Sequence, residues 1–120
     1  MSNVASCMPT SFVEARAMLA GRVQKKIANN TWLRDCSIPG VNAVSIQHHD
    51  THIVTFTDDG AVQVDAQGYR SSTTKSRING ALRGTGAQIV QRDFEWVTFY
   101  RGSCVPCLFF DGITFSMEGR

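Results

Sequence analysis

Residues 42–66 place two tight-turn signals between runs of alternating apolar residues, and nothing else in the chain constrains the fold as strongly. Val44 and Ile46 alternate with polar neighbours, and Ile53 or Val54 with Thr55 and Phe56 resume the pattern after a turn between His48 and His52. Asp58-Asp59-Gly60 is a hairpin signal, since Asp and Gly accept the backbone such turns need, and Val62 and Val64 alternate beyond it. Successive strand side chains point to opposite faces, so this spacing predicts a three-stranded antiparallel meander with one buried face, closed by Gln67-Gly68.

Ahead of the meander, Ser11-Phe12-Val13-Glu14 has the S-x-x-E form of a capping box, with Pro9 before it. Phe12, Ala15, Leu19, Val23 and Ile27 follow at three- and four-residue spacing, which predicts an amphipathic helix over 12–28 stopped by Asn29-Asn30. Thr31-Trp32-Leu33 reads as a short extended piece, and Ser37-Ile38-Pro39-Gly40 as a turn. After the meander, 73–83 reads as a short second helix capped by Ser72 or Thr73, with Ile78 and Leu82 inward and Gly84-Thr85-Gly86 ending it. Ile89-Val90 and residues 96–100 form a hairpin through Arg92-Asp93, and Leu108-Phe109-Phe110 meets Ile113 and Phe115 across Asp111-Gly112. The expectation is α+β: an antiparallel sheet, built from the three-stranded meander plus C-terminal hairpins, packed against an N-terminal amphipathic helix and a short second helix.

A chain of 120 residues with 42% apolar and 18% charged content is long enough for one real core, so a single domain over 1–120 is expected, with 1–10 flexible. The net charge of +2 says little, but its distribution says more. Arg70, Lys75, Arg77, Arg83 and Arg92 fall between Gln67 and Asp93 with no Asp or Glu among them, and four hydroxyl residues, Ser71 to Thr74, open the second helix. A helix start offers free N–H groups and attracts anions. Tyr69, Arg70, Thr73, Thr74, Lys75, Arg77, Arg83 and Arg92 are therefore the candidate face for a nucleic-acid backbone or an acidic partner. Tyr69 and Trp32 are candidates for stacking on unpaired bases.

No catalytic constellation is legible: the chain has no G-x-S-x-G elbow, and Asp58 and Asp59 read as turn residues. Cys104-Val105-Pro106-Cys107 has the spacing of two zinc ligands, with His49 and His52 as candidate partners and His48 and Cys36 as further donors. The missing second ligand pair leaves no cofactor as the expectation and a zinc-stabilised or zinc-dependent domain as the third reading. No basic-then-apolar leader opens the chain, and no apolar run reaches the roughly 18 residues of a membrane span, so no membrane contact and a bacterial cytosolic setting with reduced thiols are expected. The run from Val105 to Phe110 exceeds what one strand face buries, which points to a central strand or a homodimer or partner surface.

Three segments, His49-Asp50-Thr51-His52-Ile53-Val54-Thr55, Gly68-Tyr69-Arg70 running into Thr73-Thr74-Lys75-Ser76-Arg77-Ile78-Asn79, and Phe110-Asp111-Gly112 after Trp96, resemble a family of small, functionally uncharacterised phage and prophage proteins. The resemblance covers roughly residues 27–115; Tyr69 stands where that pattern has tryptophan, and the cysteines are not part of it. It implies a phage-encoded accessory protein and supplies no activity. With the basic stretch, the reading is a non-enzymatic binding protein that contacts nucleic acid through the helix-start face. The alternative is a phage inhibitor of a host defence or nucleic-acid-processing complex, an anti-CRISPR-like protein–protein blocker.

Overall fold

The first helix is half as long as its apolar spacing predicts. In a computed structural model, which describes residues 8–67, 71–93, 95–100 and 106–116, α1 spans Phe12–Leu19. The Ser11 hydroxyl caps it by accepting the Glu14 N–H at 3.1 Å, and the Glu14 carboxylate reaches back to the Thr10 N–H at 2.6 Å. Ala20 (φ 51°) and Gly21 (φ 84°) then take left-handed conformations that turn the chain out of the helix. Gln24–Ala28 emerges as an edge strand, β1. A four-residue spacing returns to the same face of a strand as well as of a helix, so Val23 and Ile27 did not discriminate between the two. Val23 is in fact 68% exposed.

Asn29-Asn30, read from the sequence as a helix stop, is the turn from β1 into β2 (Thr31–Asp35). The meander follows as β3 (Ala43–His48), β4 (Thr51–Thr57) and β5 (Ala61–Val64), with turns where the Asp-Gly and His-rich signals put them. A second helix, α2 (Ser72–Ala81), continues into a 3-10 turn at Leu82–Gly84. β6 (Gln88–Arg92) and β7 (Glu95–Phe99) make the expected hairpin.

The last predicted hairpin does not form. β8 (Cys107–Leu108) pairs with β7, giving a three-stranded sheet, whereas β9 (Ile113–Ser116) pairs with β5 and extends the larger sheet to the order β1-β2-β3-β4-β5-β9. The Asp111-Gly112 turn switches the chain between sheets: the Asp111 carboxylate accepts the Ala66 N–H at 2.9 Å, and the Gly112 N–H donates to the Val64 carbonyl at 2.8 Å. Ile113 and Phe115 then land beside Val64 and Val62 on the buried face. Among the described residues all strand pairs are antiparallel and there are two α-helices, an α+β architecture.

One face of the six-stranded sheet, carrying Leu33, Ile46, Val54, Phe56, Val62 and Phe115, is sealed by Ala15 and Leu19 of α1, Ile78 and Ala81 of α2, and Ile89, Trp96 and Phe109 from the smaller sheet. Trp96 and Phe109 meet edge-on at 5.3 Å between ring centres, the geometry aromatic quadrupoles favour. Among the described residues no helix is long and apolar enough to cross a membrane.

One core hydroxyl has no hydrogen-bond partner among the described residues: Thr98 Oγ1 in β7, fully buried. Desolvating an unpaired hydroxyl opposes folding, and valine has nearly the same shape. Thr98→Val is expected to stabilise the fold by about 1 kcal/mol and raise the melting temperature by about 3–5 °C in calorimetry.

Candidate anion-binding cleft

The start of α2 lies over one end of the larger sheet and leaves a cleft of about 560 Å³ between itself and the tips of the β1–β2 and β3–β4 turns. The helix is capped by Ser71, one residue earlier than expected from the sequence: its hydroxyl accepts the Thr74 N–H at 3.1 Å and bonds the Thr74 hydroxyl at 3.0 Å. Thr74 is thereby buried, while Thr73 stays exposed and Lys75 half-exposed. No acidic residue occupies the first turn, so nothing in the helix itself neutralises its positive end.

Arg77 comes one turn later and is 6% exposed. Its Nε donates to Thr31 Oγ1 at 2.7 Å, Nη2 to the Asn29 carbonyl at 3.3 Å and Nη1 to the Thr73 carbonyl at 3.5 Å. Three of the guanidinium's five N–H groups are thus used, leaving two without an acceptor among the described residues. All three acceptors are neutral. Among the described residues the one ion pair joins Arg16 and Asp35 at 3.2 Å, so Arg77 sits in the cleft wall as a buried charge with no carboxylate within ion-pair distance. Burial alone depresses its pKa.

Thr31, fully buried, connects this arginine to a histidine. Its hydroxyl lies 2.9 Å from the Asn29 carbonyl and 3.1 Å from His48 Nδ1. The hydroxyl has a single proton. When that proton serves Asn29, His48 must donate from Nδ1; when Nδ1 accepts it, Asn29 relies on Arg77 alone. Burial, then the Arg77 and His49 charges, push the His48 pKa below its ordinary value, with the Asn30 backbone acting the other way. His48 is therefore a neutral ring at physiological pH. The two turn tips are joined by the His49 N–H donating to the Asn30 carbonyl at 2.8 Å, and both residues have left-handed backbones (φ 53°). Asp50 lies at the rim.

The candidate face is divided by the fold. Thr73, Thr74 and Arg77 line the cleft, and Lys75 stands on the same helix turn. Arg83 and Arg92 line no part of it: Arg83 bonds the Gly80 and Met8 carbonyls at 2.7 and 2.8 Å, and Arg92 lies 5.0 Å from the Phe99 ring centre in the smaller sheet. Tyr69 and Arg70 lie outside the described residues. Sequence reading missed Asn29 and Thr31 as partners of Arg77, and His48 as the ring that Thr31 links to it. The Asn-Asn pair was a hairpin signal, and taking 31–35 as a full strand would have brought Thr31 opposite His48.

The comparison that bears on family is a family model described as Kyanoviridae Gp96 protein, which matches residues 10–116. The chain belongs to this phage protein family. No curated protein and no solved structure matches it. The Gp96 match runs from the residues capping α1 to the end of β9, so both helices, both sheets and the cleft fall inside it.

In this Gp96-family chain the zinc candidates fall into separate places, with Cys36 and His52 in contact at 3.9 Å and His48 beside His49 elsewhere. His49 lines the cleft, whereas His52 sits across the sheet, its Nδ1 2.6 Å from Ser45 Oγ, which is itself 3.0 Å from Cys36 Sγ. Cys107 is exposed in β8 of the other sheet, and Cys104 lies outside the described residues. Among the described residues no three His, Cys, Asp or Glu side chains are grouped to hold a metal ion.

Two predictions follow from the Arg77 network. In Arg77→Met every acceptor keeps another donor: the Thr31 hydroxyl serves Asn29, and the helix N–H of residue 77 serves Thr73. Removing the unpaired charge then offsets the lost bonds, and stability is expected to stay within about 1 kcal/mol of wild type by urea titration. Thr31→Val strands the guanidinium and is expected to cost about 2–3 kcal/mol. The pH response has a definite sign. His48 and His52 both have folded pKa values below the ordinary 6.5, His52 through partial burial and Arg34, so the unfolded chain binds protons more readily. Stability is present above that ordinary value and lost as pH falls through it towards the folded values. Urea midpoints are expected to drop between about pH 7.5 and about pH 5, and to drop less in His48→Gln.

Proposed function

We propose that this phage protein is a non-enzymatic binding module of the infected cell's cytosol, holding a phosphate of a nucleic acid in the cleft beside Arg77. The observation that carries this reading is the guanidinium itself, buried without a carboxylate and with two N–H groups uncommitted among the described residues. A buried charge lacking a counter-ion opposes folding, and an incoming phosphate would supply the counter-ion. The start of α2 adds its dipole and Thr73 a hydroxyl, while Lys75 stands outside the cleft lining and adds only its charge on the same helix turn. Arg83 and Arg92 lie outside this cleft and contribute to binding, if at all, only through long-range attraction.

A second reading, a blocker of a host nucleic-acid-processing complex, is favoured by a different observation. Leu108 and Phe110 are 68% and 59% exposed at the outer strand of the smaller sheet, an apolar pair suited to a protein groove or a second copy.

Fluorescence anisotropy with labelled DNA and RNA at about 50 and about 200 mM salt separates the two. Phosphate contacts predict a steep loss of affinity, with log K falling by about 0.7–0.9 per contact per log unit of salt. Arg77→Met should weaken binding and flatten that slope, and Lys75→Glu, outside the cleft lining, should weaken it less. Absence of binding to any nucleic acid would overturn the proposal and direct the search to host-protein capture with Leu108→Ser/Phe110→Ser as the control.

A further inference from the structure

The sheet face turned away from the helices is exposed at Lys26, His52 and Gln63 and half-exposed at Trp32, Arg34 and Gln47, and its cross-strand rows place an aromatic ring among cations. Register aligns Lys26, Trp32, Gln47 and His52 across four strands, and a neighbouring row runs through Arg34 to Gln63. The residues alternating with these, such as Leu33, Ile46 and Val54, all point into the core, where both helices pack. No Asp or Glu stands in either row.

Trp32 is half-exposed in the middle of this polar surface, whereas Trp96 is 2% exposed in the core. Lys26 lies directly across from Trp32 and is exposed; Arg34 stands two residues further along the same strand. His52 is held in place by Ser45, a fully buried hydroxyl 2.6 Å from its Nδ1. Lys26, Arg34 and Trp32 on this face, among amides and the hydroxyls of Ser45 and Thr55, offer the chemistry that engages unpaired bases by stacking and their backbone by charge. A duplex hides the faces of its bases from such a platform.

We infer that this face is a platform for single-stranded nucleic acid, with a base stacked on Trp32 and the backbone held by Lys26 and Arg34. Charge complementarity selects the occupant, since the two rows around Trp32 offer positive charge without a carboxylate, the Asp59 carboxylate meeting Thr57 only in the row beyond. The inference rests on the nucleic-acid reading of the cleft and extends it. The turn tips at Asn30 and His49 separate cleft from face, and Gln47, a platform residue, donates to the His49 carbonyl at 2.8 Å. A strand crossing these tips reaches both.

The experiment titrates oligothymidine and oligouridine of about 15 nucleotides, and a duplex of equal length, while reading anisotropy and tryptophan fluorescence together. Expected are tighter binding of single strands, quenching of Trp32 emission, and a loss of roughly 5- to 150-fold in Trp32→Ala, which also abolishes the quench. Because Trp32→Ala removes a half-buried side chain, Lys26→Glu at the exposed edge is the second variant. It should weaken binding and lower the salt slope by about one contact's worth. Single-strand binding with unchanged emission and with both variants at wild-type affinity overturns the platform and leaves the cleft standing. Preference for duplex also overturns it. Binding lost only in Arg77→Met assigns the ligand to the cleft alone, and no binding in any format removes both proposals.

Discussion

The hydrogen bond from Arg77 to Thr31 joins the two parts of the molecule that its chain separates most awkwardly. Thr31 begins the second strand and Arg77 lies in a helix 46 residues later, so this 2.7 Å contact ties the start of α2 to the sheet end, beside the core contacts of Ile78 and Ala81. Once the guanidinium is anchored there, the Asn29 carbonyl, the His48 ring and the helix start are brought within reach of one another. Burial first and the Arg77 charge second lower the His48 basicity, and the anchored arginine forms part of the cleft wall. A hydrophobic residue at position 77 would pack α2 as well. What the arginine adds is a charge in a place where charge is unfavourable, and that is why the site is read as functional.

The meander was legible because its information is local: even spacing, an Asp-Gly turn and a single buried face leave little room for another register. The ends of α1 and the fate of β9 were less so. Val23 and Ile27 satisfy strand and helix periods equally, and only the left-handed pair Ala20-Gly21, a backbone event, decides between them. Leu108 to Phe115 has the pattern of a hairpin, but Asp111 and Gly112 find better partners at Ala66 and Val64 than across their own turn. Tertiary hydrogen bonds outweighed local pattern there.

The site was half legible. A carboxylate-free basic stretch around a hydroxyl-rich helix start is visible in the sequence, and the fold does put Thr73, Thr74 and Arg77 around a cavity. Helix geometry then separates what the charge count had grouped. Arg77 shares the inward side with Ile78 and Ala81, while Arg83 is drawn towards the Met8 carbonyl beyond the helix end. Charge runs say which residues are basic but not which way a helix turns them, and the partner strand that draws Arg77 inward lies too far away in sequence for its effect to be read there.

The pairing of β9 with β5 has a consequence for how the protein is made. Until residues 113–116 have left the ribosome, β5 presents an unpaired edge and the core lacks Ile113 and Phe115. Closing that edge spans a loop of about 50 residues, a slow, non-local step that nascent-chain growth alone cannot complete. The larger sheet is therefore complete only once that span has closed. In the interval β5 is the place where a second nascent chain, or a chaperone, finds the backbone open.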